Sequence, residues 1–397
     1  MRRWIVGLIL LVLVRPAESW GAFQLTPEVT QYIVSGIDHM ANLDYPEARA
    51  AFRRIKDLAS GDLLYPYLEG IVEMDETIQT DWEDEEKIEE VLDQFLERME
   101  PVVTRGEALL EATPDNPDLL LALGMIQGTK AVVDRTRNNY FASYNGIRAS
   151  HRLLTRTLEV DGDCVDALWP LGLYDYAVSR VPALLKPLVA LVLPAGGRDQ
   201  GLERLKRAAQ EGSVSRVPAT VALVRILIGF EEQYAEALPY AERLATRYPG
   251  NPEFLFLAAF LYSETGNTQQ ALSVAEGIRK ALDHKHPHFP LELTPRYLQL
   301  RGKIAMDAGA HEQALAFFRQ AIEQRNSKYA WITAWAHTRT GMIYDLEGDR
   351  EKAEQSYQRA LEVEKGGLAR ERAKQYLSEP YQGKENQGST QPQSSNE

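Results

Sequence analysis

The feature that most constrains this chain is a pattern of small and aromatic residues that recurs along it. The clearest copies have a small residue at a first anchor, a glycine in a turn, an alanine and then an aromatic residue. Two successive first anchors, Arg225 and Ala259, are 34 residues apart, a period that predicts stacked helical units rather than one central core. The clearest copies are Gly302, Ala305, Gly309, Ala314, Phe318, Ala321 and Gly341, Tyr344, Gly348, Ala353, Tyr357, Ala360.

The spacing fits a helix-turn-helix unit in which a small residue on helix A lets helix B approach closely. It resembles the tetratricopeptide repeat, which implies an all-α, right-handed helical-repeat solenoid. We expect one solenoid of six or seven units over residues 24–375, with weak repeats in 24–215 and clearer repeats in 218–365. Residues 379–397 are rich in Gln, Ser, Asn and Gly, so a disordered tail is predicted there.

A second, looser resemblance covers residues 140–210. The segment Tyr174–Pro182, an apolar stretch and the helix start Gly197–Leu202 are similar to the core of the tetratricopeptide-39 and inclusion-body-clearance family. That resemblance implies an interaction scaffold linked to membranes or lipid, not an enzyme.

The first nineteen residues have the pattern of a secretory signal peptide. Arg2 and Arg3 precede the apolar run Trp4–Val14, and Ala17 and Ser19 supply small residues before a cleavage site. Eleven helical residues rise about 16 Å, too short for a hydrocarbon core of about 30 Å. We therefore expect an exported protein, periplasmic or extracellular, with a retained short anchor as the alternative.

Composition and motifs argue against several functional classes. The net charge of −13 is unlike that of a nucleic-acid binder, and Cys164 alone cannot form an internal disulfide. Nucleotide-binding and hydrolase motifs are absent from the sequence, so we predict no enzyme and no cofactor. One alternative is a metal site, because His284, His286 and His288 are spaced to share one side of an extended segment.

A proline-rich apolar insertion, Val181–Leu193, interrupts one of the middle units. Pro182 and Pro187 prevent a single straight helix there. The insertion either packs against the solenoid or presents an apolar patch to a partner or a bilayer surface. The second possibility makes a peripheral membrane- or lipid-associated protein the alternative function.

The concave face of the last units is the predicted binding surface for another protein. Its helix A positions combine large apolar side chains with a few cations, which suits an apolar or amphipathic protein segment. The partner is therefore expected to be a protein, of unidentified kind, rather than a nucleic acid. The predicted groove residues are Phe256, Phe260, Arg296, Lys303, Met306, Trp335 and Met342.

Overall fold

The computed structural model describes residues 23–58, 60–80, 84–186, 193–326 and 328–383. Those residues form seventeen α-helices, two short 3₁₀ turns and no β-strand, as the periodicity predicts. The helices are α1 Pro27–Ala41, α2 Tyr45–Arg53, α3 Gly61–Thr80, α4 Glu85–Ala112, α5 Pro117–Thr136, α6 Tyr140–Val160, α7 Leu168–Ser179, α8 Arg198–Glu211, α9 Arg216–Gly229, α10 Tyr234–Arg247, α11 Pro252–Glu264, α12 Thr268–Asp283, α13 Thr294–Asp307, α14 His311–Glu323, α15 Ala330–Leu346, α16 Arg350–Glu362 and α17 Leu368–Ser378.

The helices pack as successive pairs, which confirms a helical-repeat solenoid. Helices α1 to α16 make eight A–B pairs, units 1 to 8, and α17 packs against the last of them. This is more than the six or seven units expected. The pair that the sequence pattern does not resolve is α3–α4, whose helices of 20 and 28 residues exceed an ordinary repeat.

The small first anchors are places of close helix approach, as predicted. A Cβ at Gly341 would lie 2.5 Å from the Tyr357 ring, and one at Gly302 would lie 2.5 Å from the Phe318 ring. Both aromatic side chains are fully buried. In units 7 and 8 the B helix therefore places its aromatic ring on the glycine of its own A helix, and any side chain there would force the pair apart.

The first turn of the solenoid closes on itself. The Asp38 carboxylate, at the end of α1, accepts hydrogen bonds from Arg247 at 2.6 Å and from the Tyr248 hydroxyl at 2.5 Å. Beside it, the Asn42 amide oxygen accepts from the Gly250 N–H, and the Asn251 amide donates to the Ala41 carbonyl, both at 2.9 Å. Unit 1 is thus tied to the junction between units 5 and 6.

The C-terminal end differs from the sequence prediction. A disordered tail was expected from residue 379, but residues 379–383 pack on the solenoid, and Tyr381 is buried. The Tyr381 N–H donates to Asp345 at 2.9 Å, and its ring centre lies 5.3 Å from that of Tyr376. Burial of the Tyr381 ring against Tyr376 holds this segment on the solenoid, although the residues around Tyr381 are polar. The rest of the predicted tail, 384–397, lies outside the described residues.

Two further predictions concern segments that are only partly described. The signal peptide at 1–19 lies outside the described residues. The apolar insertion falls between α7 and α8, and its residues 181–186 and 193 are described, with Leu184 and Leu185 exposed. In the described part of the chain, no helix combines the length and the apolar character needed to cross a bilayer.

Candidate interaction surface on the concave side

The inner wall of the first turn surrounds an apolar cavity of about 390 Å³. Residues of α1, α3, α5, α7, α9 and α11 line it, so the A helices form the concave side of the solenoid. The cavity volume lies within the range of small-molecule and side-chain pockets. Its apolar lining includes Leu25, Ile33, Met40, Phe52, Leu64, Leu68, Ile71, Met125, Trp169, Val221 and Phe254.

Three charged side chains lie on the cavity wall. Asp75 accepts a hydrogen bond from the Tyr45 hydroxyl at 2.9 Å. Burial raises the pKa of Asp75, although the Tyr45 hydrogen bond and the charge of Arg225 act in the opposite direction. Arg225 is exposed, and Glu253 forms an ion pair with Arg296 at 2.7 Å. The cavity is therefore apolar with a charge-balanced rim.

The rim of the cavity leads directly to the predicted groove of the last units. The Arg296 guanidinium lies 4.3 Å from the Phe256 ring centre and 5.4 Å from the Trp331 ring centre. Burial alone would raise the pKa of Glu253, but Arg296 and then Arg225 bring that pKa below its ordinary value. Arg296 thus joins a carboxylate on the cavity wall to two aromatic rings on α11 and α15.

The predicted groove residues differ in how much of each is accessible. Phe256, Lys303 and Met306 were expected to face an open groove, but all three are buried. Phe260, Arg296, Trp335 and Met342 are half-buried. Phe256 and Met306 belong to the same buried cluster as Tyr376 and Tyr381 of the C-terminal segment.

A network of opposite charges lies at the floor of the groove. Lys303 forms ion pairs with Glu264, at 2.8 Å, and with Asp307. Its ammonium group also lies 5.2 Å from the Phe260 ring centre. One turn of α15 beyond Trp335, the Arg339 guanidinium covers the Trp335 ring at 4.5 Å. Burial lowers the pKa of Arg339, against the opposing effects of Glu264 and Asp307.

The three histidines of the metal alternative do not converge on one point. The Nδ1 atom of His284 lies 2.7 Å from the Lys280 carbonyl, and that of His288 lies 3.2 Å from the Gly250 carbonyl. The His286 ring stacks edge-on against Phe289. Within the described ranges, no group of three or more His, Cys, Asp or Glu side chains is arranged to hold a metal ion.

Cys164, the single cysteine, has no features of a nucleophile. Burial raises the pKa of its thiol to about 11, and the nearby carboxylates of Asp166 and Asp161 also raise it. A nucleophilic thiol needs the opposite shift, because the thiolate is the reactive form.

Sequence reasoning missed two parts of the concave side. Trp331 carries the exposed end of the aromatic group around Arg296, yet it lies in the first turn of α15, outside the helix positions used to predict the groove. The cavity of the first turn was missed entirely. Only the recurring A-helix positions could have indicated it, since its walls come from six separate units.

Two protein-family models match the last third of the chain and its neighbouring units. Both are described as tetratricopeptide repeat, and they match residues 231–288 and 295–365. These ranges coincide with α10–α12 and α13–α16, in the region where the sequence pattern is clearest. No curated protein matches the chain.

Solved helical-repeat structures are similar to it at low identity. A monomeric mutant of IFIT1 with m7Gppp-AAAA is 13% identical, with 89% of this chain and 86% of that chain covered and a TM-score of 0.36. The human IFIT1 dimer with PPP-AAAA is 15% identical, with 87% and 96% covered and a TM-score of 0.26. Yeast Tom70 is 10% identical, with 89% and 96% covered and a TM-score of 0.23.

Proposed function

Because the chain is a tetratricopeptide repeat protein, we propose that it is a non-enzymatic scaffold that binds an apolar or amphipathic segment of another protein on its concave side. Solenoids of this kind use their extended concave surfaces for binding. The repeats match the tetratricopeptide models, and they support a role in protein interaction. That the bound segment is apolar or amphipathic, and that it binds on the concave side, is what we add to this general role.

The observation that carries the proposal is the continuity between the apolar cavity and the aromatic groove. Glu253 lines the cavity and pairs with Arg296, which stacks on Phe256 and Trp331. An amphipathic segment could insert an apolar side chain into the cavity and then pass over Arg296 to the tryptophans. Such helix-in-groove binding uses apolar anchors at intervals, which these two sites would supply.

We assign the groove part of the binding surface to Phe256, Phe260, Arg296, Lys303, Met306, Trp335 and Met342. Trp335 is the expected anchor, because tryptophan is enriched among residues that dominate binding energy. Arg339 holds its ring from one side, which reduces the entropy that the ring would lose on binding. The buried members, Phe256, Lys303 and Met306, would fix the shape of the groove rather than touch the partner first.

The polar groups of the concave side favour binding over catalysis. Lys303 is engaged with Glu264 and Asp307, and Glu253 is engaged with Arg296. Charges paired in this way stabilise the wall and set its electrostatic pattern, but none is free to act as a general base. We therefore propose no catalytic residue and no cofactor.

We also propose that the protein acts outside the cytoplasm, with residues 1–19 removed on export. The proposal rests on the order of basic, apolar and small residues at the start of the sequence. N-terminal sequencing of the protein from its native compartment should begin at Trp20. A start at Met1 would indicate a retained anchor instead.

A second candidate function is membrane or lipid association through the insertion Val181–Leu193. It is favoured by one observation, the exposure of Leu184 and Leu185 in the described part of that insertion. Leucines that only packed against the solenoid would be covered. This candidate does not exclude the first, since the insertion lies between α7 and α8, away from the Trp335 groove.

The direct test of the scaffold function is Trp335→Ala with two readouts, melting temperature and partner capture. Leu272→Ala is the matched control, because Leu272 is an exposed apolar residue on the outer helix α12. We expect Trp335→Ala to weaken capture by at least about 30-fold, in line with a truncated hot spot, with little change in melting. Capture unaffected by Trp335→Ala, or lost equally in the control, would remove Trp335 from the site.

A further inference from the structure

Exposed apolar side chains are concentrated at the A–B turns of units 3, 4 and 5. These are the turns after α5, α7 and α9, and together we name them the turn edge. The exposed fraction is 77% for Phe141, 87% for Leu184 and 59% for Phe230. Six of the thirteen large apolar side chains that are exposed among the described residues lie on this edge: Val132, Tyr140, Phe141, Leu184, Leu185 and Phe230.

The three turns face the same way. In a solenoid of helix pairs, every A–B turn lies on one edge and every B–A turn on the opposite edge, because each unit repeats the orientation of the last. Units 4 and 5 are also in direct contact there, since the Arg180 guanidinium lies 5.3 Å from the Phe230 ring centre. Apolar residues that are distant in sequence therefore lie along one edge of the solenoid.

The turn edge also carries exposed basic side chains. Arg135, Arg180 and Lys186 are exposed, and none of them forms an ion pair within the described ranges. Arg135 covers the Tyr140 ring at 5.1 Å. These exposed cations belong to a chain whose net charge is −13.

The acidic residues nearest to these cations are already engaged. The Asp134 carboxylate is buried and pairs with Lys130 at 3.1 Å. Glu231 is held by Arg198 and by the Tyr176 hydroxyl, the latter at 2.6 Å. Asp134 is thus engaged by Lys130, whereas Glu231 is engaged by Arg198 and also interacts with the charge of Arg180, which helps to lower its pKa. Arg135 and Lys186 are the exposed cations of the edge that form neither kind of interaction with these two carboxylates.

We propose that the turn edge binds the surface of an anionic lipid bilayer. Aromatic rings, leucines and basic side chains are the combination that lies at the boundary between head groups and acyl chains. A row of turns along one edge of the solenoid can contact a flat surface, whereas a protein segment would fit the concave side. Cations left free on an acidic chain complement anionic head groups. The inference rests on the second candidate function, lipid association, and extends it from the insertion to the turns of three units. It does not depend on residues 187–192, which lie outside the described residues.

The test is flotation of the full chain with vesicles of phosphatidylcholine, alone or mixed with phosphatidylglycerol. Three double variants probe the edge: Tyr140→Ser with Phe141→Ser, Leu184→Ser with Leu185→Ser, and Arg135→Gln with Arg180→Gln. The control is Leu272→Ser with Leu368→Ser, which removes two exposed leucines away from the edge. Because all eight side chains are exposed or on turns, each variant should melt like the parent protein.

We expect binding to the mixed vesicles and weaker binding to phosphatidylcholine alone. Loss of two cations should weaken binding to the mixed vesicles by about 30-fold, and each apolar pair should also weaken it, while the control should not. If only the Leu184–Leu185 pair matters, the insertion alone binds lipid and the edge proposal is wrong. Vesicle binding that no edge pair reduces, or no vesicle binding at all, also overturns it, while partner capture at Trp335 would be unaffected by either result.

Discussion

The two halves of the concave side are built from the same repeat but end differently. In the first turn, Asp38 and Asn42 of unit 1 reach the junction at residues 247–251 and leave an apolar cavity inside. In the last units, Phe256 and Met306 are buried in one cluster with Tyr376 of α17 and Tyr381. Repetition therefore sets the local packing of each pair, whereas a few contacts between distant units decide which part of the inner surface stays accessible.

The difference indicates how each half would take part in binding. The cavity of the first turn needs no rearrangement to receive an apolar side chain. Met306 of the predicted groove lies in one buried cluster with Tyr376 and Tyr381, so we expect a partner there to compete with Tyr381. The ion pair of Glu253 and Arg296 lies between the two regions and would be in contact with a segment that spans both.

The largest expected effect is a loss of stability in the last units that leaves the first turn unchanged. Gly341→Leu should destabilise the protein by about 2–4 kcal/mol, because its side chain would overlap the buried Tyr357 ring. Hydrogen exchange should show the loss of protection in α15–α17 and not in the first turn. The matched control is Gly277→Ala, whose Cβ would meet no atom within 4 Å. Unchanged melting of Gly341→Leu would show that this glycine is not a close-approach position.

A second prediction opens the first turn. Asp38→Ala should cost about 2 kcal/mol, because it removes a charged hydrogen bond to Arg247 and leaves Tyr248 without its acceptor. Small-angle scattering should record a larger radius of gyration. Asp115→Ala is the control, since it breaks an exposed ion pair with Arg156 and should have little effect. A radius that stays constant in Asp38→Ala would mean that other contacts hold the ring closed.

A third prediction uncovers the groove of the last units. Tyr381→Ala should destabilise the protein by about 1 kcal/mol through loss of the ring contact with Tyr376, and it should strengthen partner capture. Tyr381→Phe keeps the ring and should behave like the parent protein. If capture falls in Tyr381→Ala, the tail supports the binding surface instead of competing for it.

The smallest expected effect is the contribution of His337, in the last units, to the pH dependence of stability. Burial, and then the charges of Arg359 and Arg325, lower the pKa of His337 to about 4. The unfolded chain, with a pKa near 6.5 for this group, binds the proton between those two values and the folded chain does not. Stability should therefore fall as pH drops from 6.5 toward 4. His337→Gln should reduce the loss in denaturant midpoint between pH 7.5 and pH 5.5, and an equal loss in both proteins would exclude His337 as its source.

What the sequence could predict was local. The contact of Gly341 with Tyr357 and the left-handed turn glycine Gly348 follow from offsets inside one unit, so the pattern is sufficient to predict them. The sequence pattern did not predict the α3–α4 pair, because its long helices break the 34-residue period. Gly70 nevertheless lies against the Phe95 ring, as the first anchors of other units do. A first anchor alone, without the turn glycine, is a weak signal.

The candidate site was less accessible to sequence reasoning. The closure of Asp38 on Arg247 joins residues 209 positions apart, and it depends on the curvature that five units accumulate. The burial of Met306 depends on where the C-terminal segment folds, which no repeat pattern encodes. Helix A positions therefore identified the concave side, but they did not determine which of its residues a partner can reach.

The measurement that tests the central claim most directly is site-specific photo-crosslinking in the native compartment. A photoreactive amino acid would replace Trp335 in one protein and Leu272, on the outer helix α12, in the control. The account predicts an adduct at position 335 with an apolar or amphipathic segment of another protein, and none at position 272. Adducts formed equally at both positions, or at position 335 only with the chain's own C-terminal residues, would contradict it.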